Sequence, residues 1–252
     1  MDGLIRGGLI PPNFREQWEP IVPDIPDSNP SGAVIGGGPT TGPEVMGGGT
    51  AFYVDQALLV TAAHVLTWTD TETEQTYYCS GMMDKNGNPL HFISMDESID
   101  LAMLRTDVPS SFYFEIESDA PFVGASARAL GFPRLFELGL DLSVTDGTIS
   151  KLSGAEDNPM HYLISTPIQG GNSGGPVISS RGAVFGVVSM EFDCRTQERQ
   201  CPNLGAIVHS RILMDFMQES QHGYFETANY FDPSYGIPPA VADAVIPVFC
   251  LR

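Results

Sequence analysis

From about residue 47 to residue 210 the chain is a succession of short apolar runs, each ended within a few residues by glycine, proline, asparagine, aspartate or serine. That punctuation leaves little room for helices and favours short strands, which must pair with neighbours to satisfy their backbone groups. The candidate strands are 50–54 (TAFYV), 57–61 (ALLVT), 90–95, 101–105 (LAMLR), 126–130, 144–150, 162–166 (YLIST), 176–179 (PVIS), 183–190 (AVFGVVSM) and 204–208 (LGAIV). Only 211–219 (RILMDFMQE) has a helical period, with Ile212, Leu213, Phe216 and Met217 on one stripe. The expected class is therefore all-β, a sandwich or barrel, with a C-terminal helix at 211–219.

The two ends read differently. Residues 1–44 carry prolines at 11, 12, 20, 23, 26, 30, 39 and 43 and glycines at 36–38, a composition that holds no regular structure. Residues 220–252 are aromatic- and proline-rich without a period. Their apolar side chains (Tyr224, Phe225, Tyr230, Phe231, Tyr235, Val248, Phe249) are expected to dock on the rest of the fold or on a partner.

Charge restricts the partners. Twelve Lys+Arg against 31 Asp+Glu give a formal net charge of −19, which argues against binding nucleic acid or an anionic membrane surface. No apolar run approaches the roughly 18 residues of a membrane span. Met1–Gly8 lacks the uninterrupted apolar stretch of a signal peptide, so a soluble, cytoplasmic protein is expected. Four cysteines (Cys79, Cys194, Cys201, Cys250) are too few for a disulfide framework at this length. In a reducing compartment they are expected as free thiols, although Cys194 and Cys201 bracket a polar loop and could pair. The histidines show no metal-ligand spacing, and no metal or organic cofactor is expected.

Three local patterns carry chemistry. Leu59–Val65 (LVTAAHV) is an apolar strand ending in small residues and His64. Ser98–Leu104 (SIDLAML) sets Asp100 immediately ahead of an apolar strand. Gly170–Pro176 (GGNSGGP) embeds Ser173 among glycines. A hydroxyl attacks a carbonyl only if a base takes its proton, and histidine is the usual base near neutral pH. That histidine needs a carboxylate on its other nitrogen to hold the tautomer. The developing oxyanion needs preorganised N–H donors, which glycine lets a backbone present.

At these residues the sequence resembles the trypsin superfamily of chymotrypsin-like serine proteases. The matching stretches are TAAH at 61–64, DLA at 100–102 and GNSGGP at 171–176, in the family's His, Asp, Ser order. Asn172 before the serine is similar to the HtrA-type branch, but 220–252 is too short for that branch's PDZ domain. The resemblance covers roughly 45–219. It implies two Greek-key antiparallel barrels, about 45–122 and 123–210, and a serine endopeptidase acting on proteins or peptides, with a regulatory protein partner conceivable. Residue by residue it implies His64 as general base, Asp100 as its orienting acid and Ser173 as nucleophile. The oxyanion hole falls on the backbone of Gly171 and Ser173, with Asn172 between them. It further implies that Ser189, Met190 and Glu191 line the substrate, with a specificity pocket walled by Pro167, Ile168, Gln169 and Gly205. Pro167 at the pocket floor carries no charge, so an apolar pocket is expected. Glu191 at the rim, unless paired with Arg195 or Arg199, would instead attract Arg or Lys.

Val34-Ile35-Gly36-Gly37 resembles the terminus that digestive relatives expose by cleavage to pair with an aspartate. Here the neighbour of the serine is Asn172, so no such processing is expected. Two other readings stay open. Gly171–Gly175 also satisfies the G-x-S-x-G elbow of α/β-hydrolases, with Asp193 or Asp215 and His209 or His222 as nominal partners. A protease-like fold kept as a binding module is the other.

Overall fold

The computed structural model describes residues 43–191, 204–222 and 231–252. The proline-rich segment to residue 42, Cys194, Cys201, Arg195, Arg199 and Asp193 lie outside them, as do Tyr224, Phe225 and Tyr230.

The strands are β1 (Val45–Asp55), β2 (Leu58–Thr61), β3 (Thr67–Thr69), β4 (Thr76–Tyr78), β5 (Gly81–Met83), β6 (Pro89–Asp96), β7 (Leu101–Thr106), β8 (Ser126–Gly131), β9 (Ser143–Lys151), β10 (His161–Ile164), β11 (Pro176–Ile178), β12 (Val184–Glu191), β13 (Gly205–His209) and β14 (Val245–Leu251). Among the described residues three α-helices join them: α1 (Leu135–Leu138), α2 (Ser210–Glu219) and α3 (Pro239–Ala242). They close into two antiparallel barrels, β1-β14-β5-β6-β7-β2 and β10-β13-β12-β11-β8-β9, with β3 and β4 as a separate pair. Closure leaves neither barrel with an open edge. Every candidate strand read from the sequence lies within, or overlaps, one of these strands.

Phe52, Leu59, Leu101, Met103 and Leu104 fill the first barrel, and Ile149, Ile164, Phe185, Val188 and Ile207 the second. The apolar stripe of α2 behaves as its period requires: Leu213, Phe216 and Met217 are buried, with Ile212 at the margin. The first barrel is not confined to 45–122. Its sixth strand is β14, which pairs with β1 from Val45↔Leu251 to Phe52↔Val245 and with β5 through Cys250↔Met82. The C-terminal segment thus docks where Phe231, Val248 and Phe249 are buried, while Tyr235 stays exposed.

One expectation is corrected. Cys79 and Cys250 are not free thiols but form a disulfide, with their Cα atoms 5.2 Å apart. The pairing becomes possible because β14 returns beside β5 and brings together two residues 171 positions apart. Spacing in sequence could not reveal that neighbourhood.

Candidate active site

The three motif residues come from different barrels and meet at the junction. His64 sits in a single tight helical turn, Ala63–Leu66, just after β2. Ala62 and Ala63 are buried, so the turn lies flat against the barrel end and leaves the imidazole about half exposed. Asp100 occupies the last position before β7 in a left-handed conformation (φ 56°), which aspartate tolerates better than bulkier residues. Its carboxylate receives the His64 ring Nδ1 at 2.9 Å on both oxygens and the His64 backbone N–H at 3.1 Å. With Nδ1 donating to the carboxylate, Nε2 is left as the basic nitrogen.

Asp100 Oδ2 also accepts from Ser189 Oγ at 2.5 Å. Ser189 falls where the β12–β13 register shifts, between Val188↔Ile207 and Met190↔Ala206. Such a bulge re-aims one side chain out of strict alternation, here towards the acid. Ser189 was expected on the strand that lines the substrate; its hydroxyl, whose task the sequence did not show, donates to Asp100. His161 also lies near this carboxylate: its Nε2 is buried without a hydrogen-bond partner among the described residues, and burial holds the ring below its ordinary pKa while Asp100 opposes that shift.

Ser173 lies on the loop from β10 to β11, and that loop is tied to the first barrel. Ser173 O accepts from the Thr50 N–H at 2.8 Å, and Gly174 N–H donates to Val188 O at 2.7 Å. Gly174 has φ +82°, and a Cβ there would collide with Thr50 O, Thr61 Oγ1 and the Ala62 nitrogen. Only glycine lets Ser173 approach the segment two residues from His64. Among the described residues no hydrogen bond joins the Ser173 hydroxyl to His64, a contact that often tightens only when substrate is present.

The Gly171 and Ser173 N–H groups donate to nothing among the described residues, and both residues are partly accessible. Asn172 is corrected out of this set: its N–H donates to Gln169 O at 3.0 Å and its side chain is buried beside Gly131. Thr50, absent from the sequence reading, donates its hydroxyl to Gly171 O at 2.7 Å. A threonine in a strand carries no signal that would single it out.

A family profile described as trypsin-like peptidase domain matches residues 49–187, more than half of the chain. The chain belongs to the trypsin-like peptidase family. An uncharacterized protein of Sinorhizobium fredii is 28% identical over 76% of this chain and 29% of its own length. A probable periplasmic DegP-like serine endoprotease of Ectopseudomonas mendocina is 28% identical over 73% of this chain and 36% of its own. The chain thus spans about a third of the length of these relatives. Among solved structures, the active form of a protease from M. tuberculosis superposes with a TM-score of 0.51 at 21% identity, covering 71% of this chain and 77% of that one. This likeness is one of fold. The trypsin-like fold leaves no place for the parallel sheet of an α/β-hydrolase.

The residues expected to form the trypsin-like pocket divide. Pro167 and Gln169 are exposed and enclose nothing by themselves, so Pro167 is not a buried floor. Ile168 is buried, with Cγ1 pressed over Gly205, where any Cβ would strike it. It belongs to the apolar cluster of the second barrel with Ile164 and Tyr162. Ile168 is therefore part of the core of the second barrel, and Gly205 provides the space it occupies. Met190 and Glu191 continue β12 in register with Ala206 and Gly205.

Proposed function

We propose that the protein is a serine endopeptidase that cleaves peptide bonds of protein substrates through an acyl-enzyme, with Ser173 as nucleophile, His64 as general base and Asp100 as the acid that orients it. The observation that carries this reading is the His64–Asp100–Ser189 chain of hydrogen bonds facing a serine loop whose Gly171 and Ser173 N–H groups are unengaged among the described residues. Ser173 Oγ forms a bond to the substrate carbonyl carbon while its proton passes to His64 Nε2. The charge that develops on the carbonyl oxygen meets the two N–H groups. Collapse of that intermediate breaks the C–N bond, and the imidazolium returns the proton to the leaving amine. Water, deprotonated by the same imidazole, then releases the acid and restores the serine.

For the residue before the scissile bond we infer an apolar side chain, supported by the absence of charge on Pro167, Ile168, Gln169 and Gly205, the residues that the family resemblance sets around the pocket. We also place the protein in an oxidising compartment rather than the cytoplasm suggested by its N-terminal sequence. The Cys79–Cys250 disulfide supports that placement, since such bonds persist where thiols are not kept reduced.

The test is a fluorophosphonate probe followed by mapping of the modified residue. Label is expected on Ser173 alone, with Ser173→Ala unlabelled, folded and slowed by about 10⁴-fold or more. Label on another serine, or unchanged turnover in Ser173→Ala, would reject the assignment.

A further inference from the structure

Thr50 is wholly buried where the two barrels meet, and each of its polar groups serves a residue outside the β1–β14 ladder. Its N–H donates to Ser173 O at 2.8 Å, and its carbonyl accepts from Thr61 Oγ1 at 2.7 Å. Its hydroxyl donates to Gly171 O at 2.7 Å and accepts from the Phe132 N–H at 3.2 Å. The residue opposite it in β14 is Pro247, which has no N–H to offer. A barrel position that would ordinarily look sideways along its own sheet is thereby turned over to the serine loop of the other barrel.

What the hydroxyl does follows from peptide geometry. Every peptide bond among the described residues is trans, so the C=O and N–H of one unit point in opposite directions. Gly170 O accepts from the Arg134 N–H at 2.6 Å, which turns the Gly171 N–H to the opposite, open side. Gly171 O is held by Thr50 Oγ1, which turns the next N–H, that of Asn172, away to Gln169 O. Asn172 O accepts from the Gly175 N–H at 2.9 Å, which turns the Ser173 N–H to the opposite side, where it meets no partner among the described residues. Alternate peptides are thus oriented from outside the loop, one by Arg134 on the approach to α1 and the next by Thr50 on β1. Gly171, at φ +97°, is the residue whose conformation connects them.

We propose that Thr50 is a positioning residue: its hydroxyl holds the Gly171–Asn172 peptide in the one orientation that leaves the Gly171 and Ser173 N–H groups together for an oxyanion. This rests on the peptidase reading of the same site. A hydroxyl that merely satisfied buried neighbours would contribute to stability and leave transition-state binding alone.

The test compares wild type with Thr50→Val, which keeps the shape and removes the hydroxyl, and Thr50→Ser, which keeps the hydroxyl. In Thr50→Val, kcat on a peptide substrate is expected to fall about 10- to 100-fold with KM changed by less than about threefold. Affinity for a peptide aldehyde, whose adduct with the serine carries the oxyanion, should fall by the same factor as kcat/KM. Thr50→Ser should restore most of both. If Thr50→Val does not fold, Thr50→Ala takes its place with the same expectation. A hydroxyl-free variant with a lower melting temperature but wild-type kcat and aldehyde affinity overturns the proposal. Wild-type protein that neither cleaves peptides nor labels with a fluorophosphonate overturns the peptidase reading instead. Crystal structures of the three proteins then still decide the role of Thr50: a Gly171–Asn172 peptide unmoved by Thr50→Val refutes it.

Discussion

Asp100 receives three hydrogen bonds from His64 and Ser189, and they divide the work of holding it. The His64 backbone N–H fixes where the carboxylate stands, the ring Nδ1 is what it orients, and the Ser189 hydroxyl donates to Oδ2, which the ring Nδ1 also reaches. Removing that last donor leaves a half-exposed ring attached to an acid with one support fewer. Ser189→Ala is therefore expected to lower kcat about 10- to 100-fold, as loss of a neutral-to-charged hydrogen bond requires, with little change in melting temperature. Steady-state kinetics beside a thermal melt checks this; an unchanged kcat would mean that His64 alone fixes the acid. The candidate residues His64, Asp100 and Ser173 could be picked out of the sequence because of their contexts: small residues before a histidine, an acid before an apolar strand, glycines around a serine. Ser189 was legible as important but not for its task, since a bulge that redirects a side chain depends on the register of two strands. Thr50 and Arg134 were not legible at all. Each holds a backbone carbonyl of the serine loop far away in sequence, Arg134 from within the second barrel and Thr50 across the junction, 121 residues from its partner.

Among the elements, β14 shows most clearly where a strand escapes notice. Val245–Leu251 is buried along nearly its whole length, so it has no polar–apolar alternation, and Pro247 within it argues against a central strand. The proline is accommodated because Thr50, opposite, gives its N–H and carbonyl to Ser173 and Thr61. β3, β4 and β5 were missed for a simpler reason: three residues each are too few to show a period. The longer strands and α2 were legible because each is long enough to repeat its pattern against a core. β14 also joins two supports of the site. It flanks β1 along Gly48–Thr50, and Cys250 bonds to Cys79, whose N–H donates to Leu66 O in the His64 turn. A bond that closes so long a loop restricts the unfolded chain, and its loss typically costs about 2–4 kcal/mol. The Cys79→Ser, Cys250→Ser double variant should melt roughly 5–15 °C lower than wild type. The same shift should follow treatment of wild type with dithiothreitol, and no further shift should follow in the variant. Equal melts would mean that strand pairing alone holds β14.

For the whole molecule, the formal charge of −19 and the buried histidines make opposite demands as pH falls. Between pH 7 and 5 most carboxylates remain ionised, so histidines carry most of the titration. Protonating all five would bring the formal charge from −19 to −14, easing self-repulsion and favouring the folded state slightly. His209 and His161 work the other way. His209 is buried with Nδ1 unpartnered among the described residues, its ring stacked on Tyr162 and its Nε2 at 3.1 Å from Pro159 O. Burial lowers its pKa below the ordinary histidine value, with His161 and Arg211 adding to the shift and the Pro159 carbonyl and Asp215 opposing it. Burial likewise lowers His161, against the pull of Asp100. Both histidines therefore bind protons less readily folded than unfolded. Above the unfolded value of about 6.5 their contribution is constant. As pH falls below it, the unfolded chain takes up protons that the folded protein refuses, and stability declines until the lowered folded values are passed. Thermal melts from pH 7.5 to 4.5 should show that decline for wild type, and a shallower one for His209→Gln and for His161→Gln. If the variants fall as steeply as wild type, the acid sensitivity lies elsewhere in the molecule, and the two buried rings do not govern it.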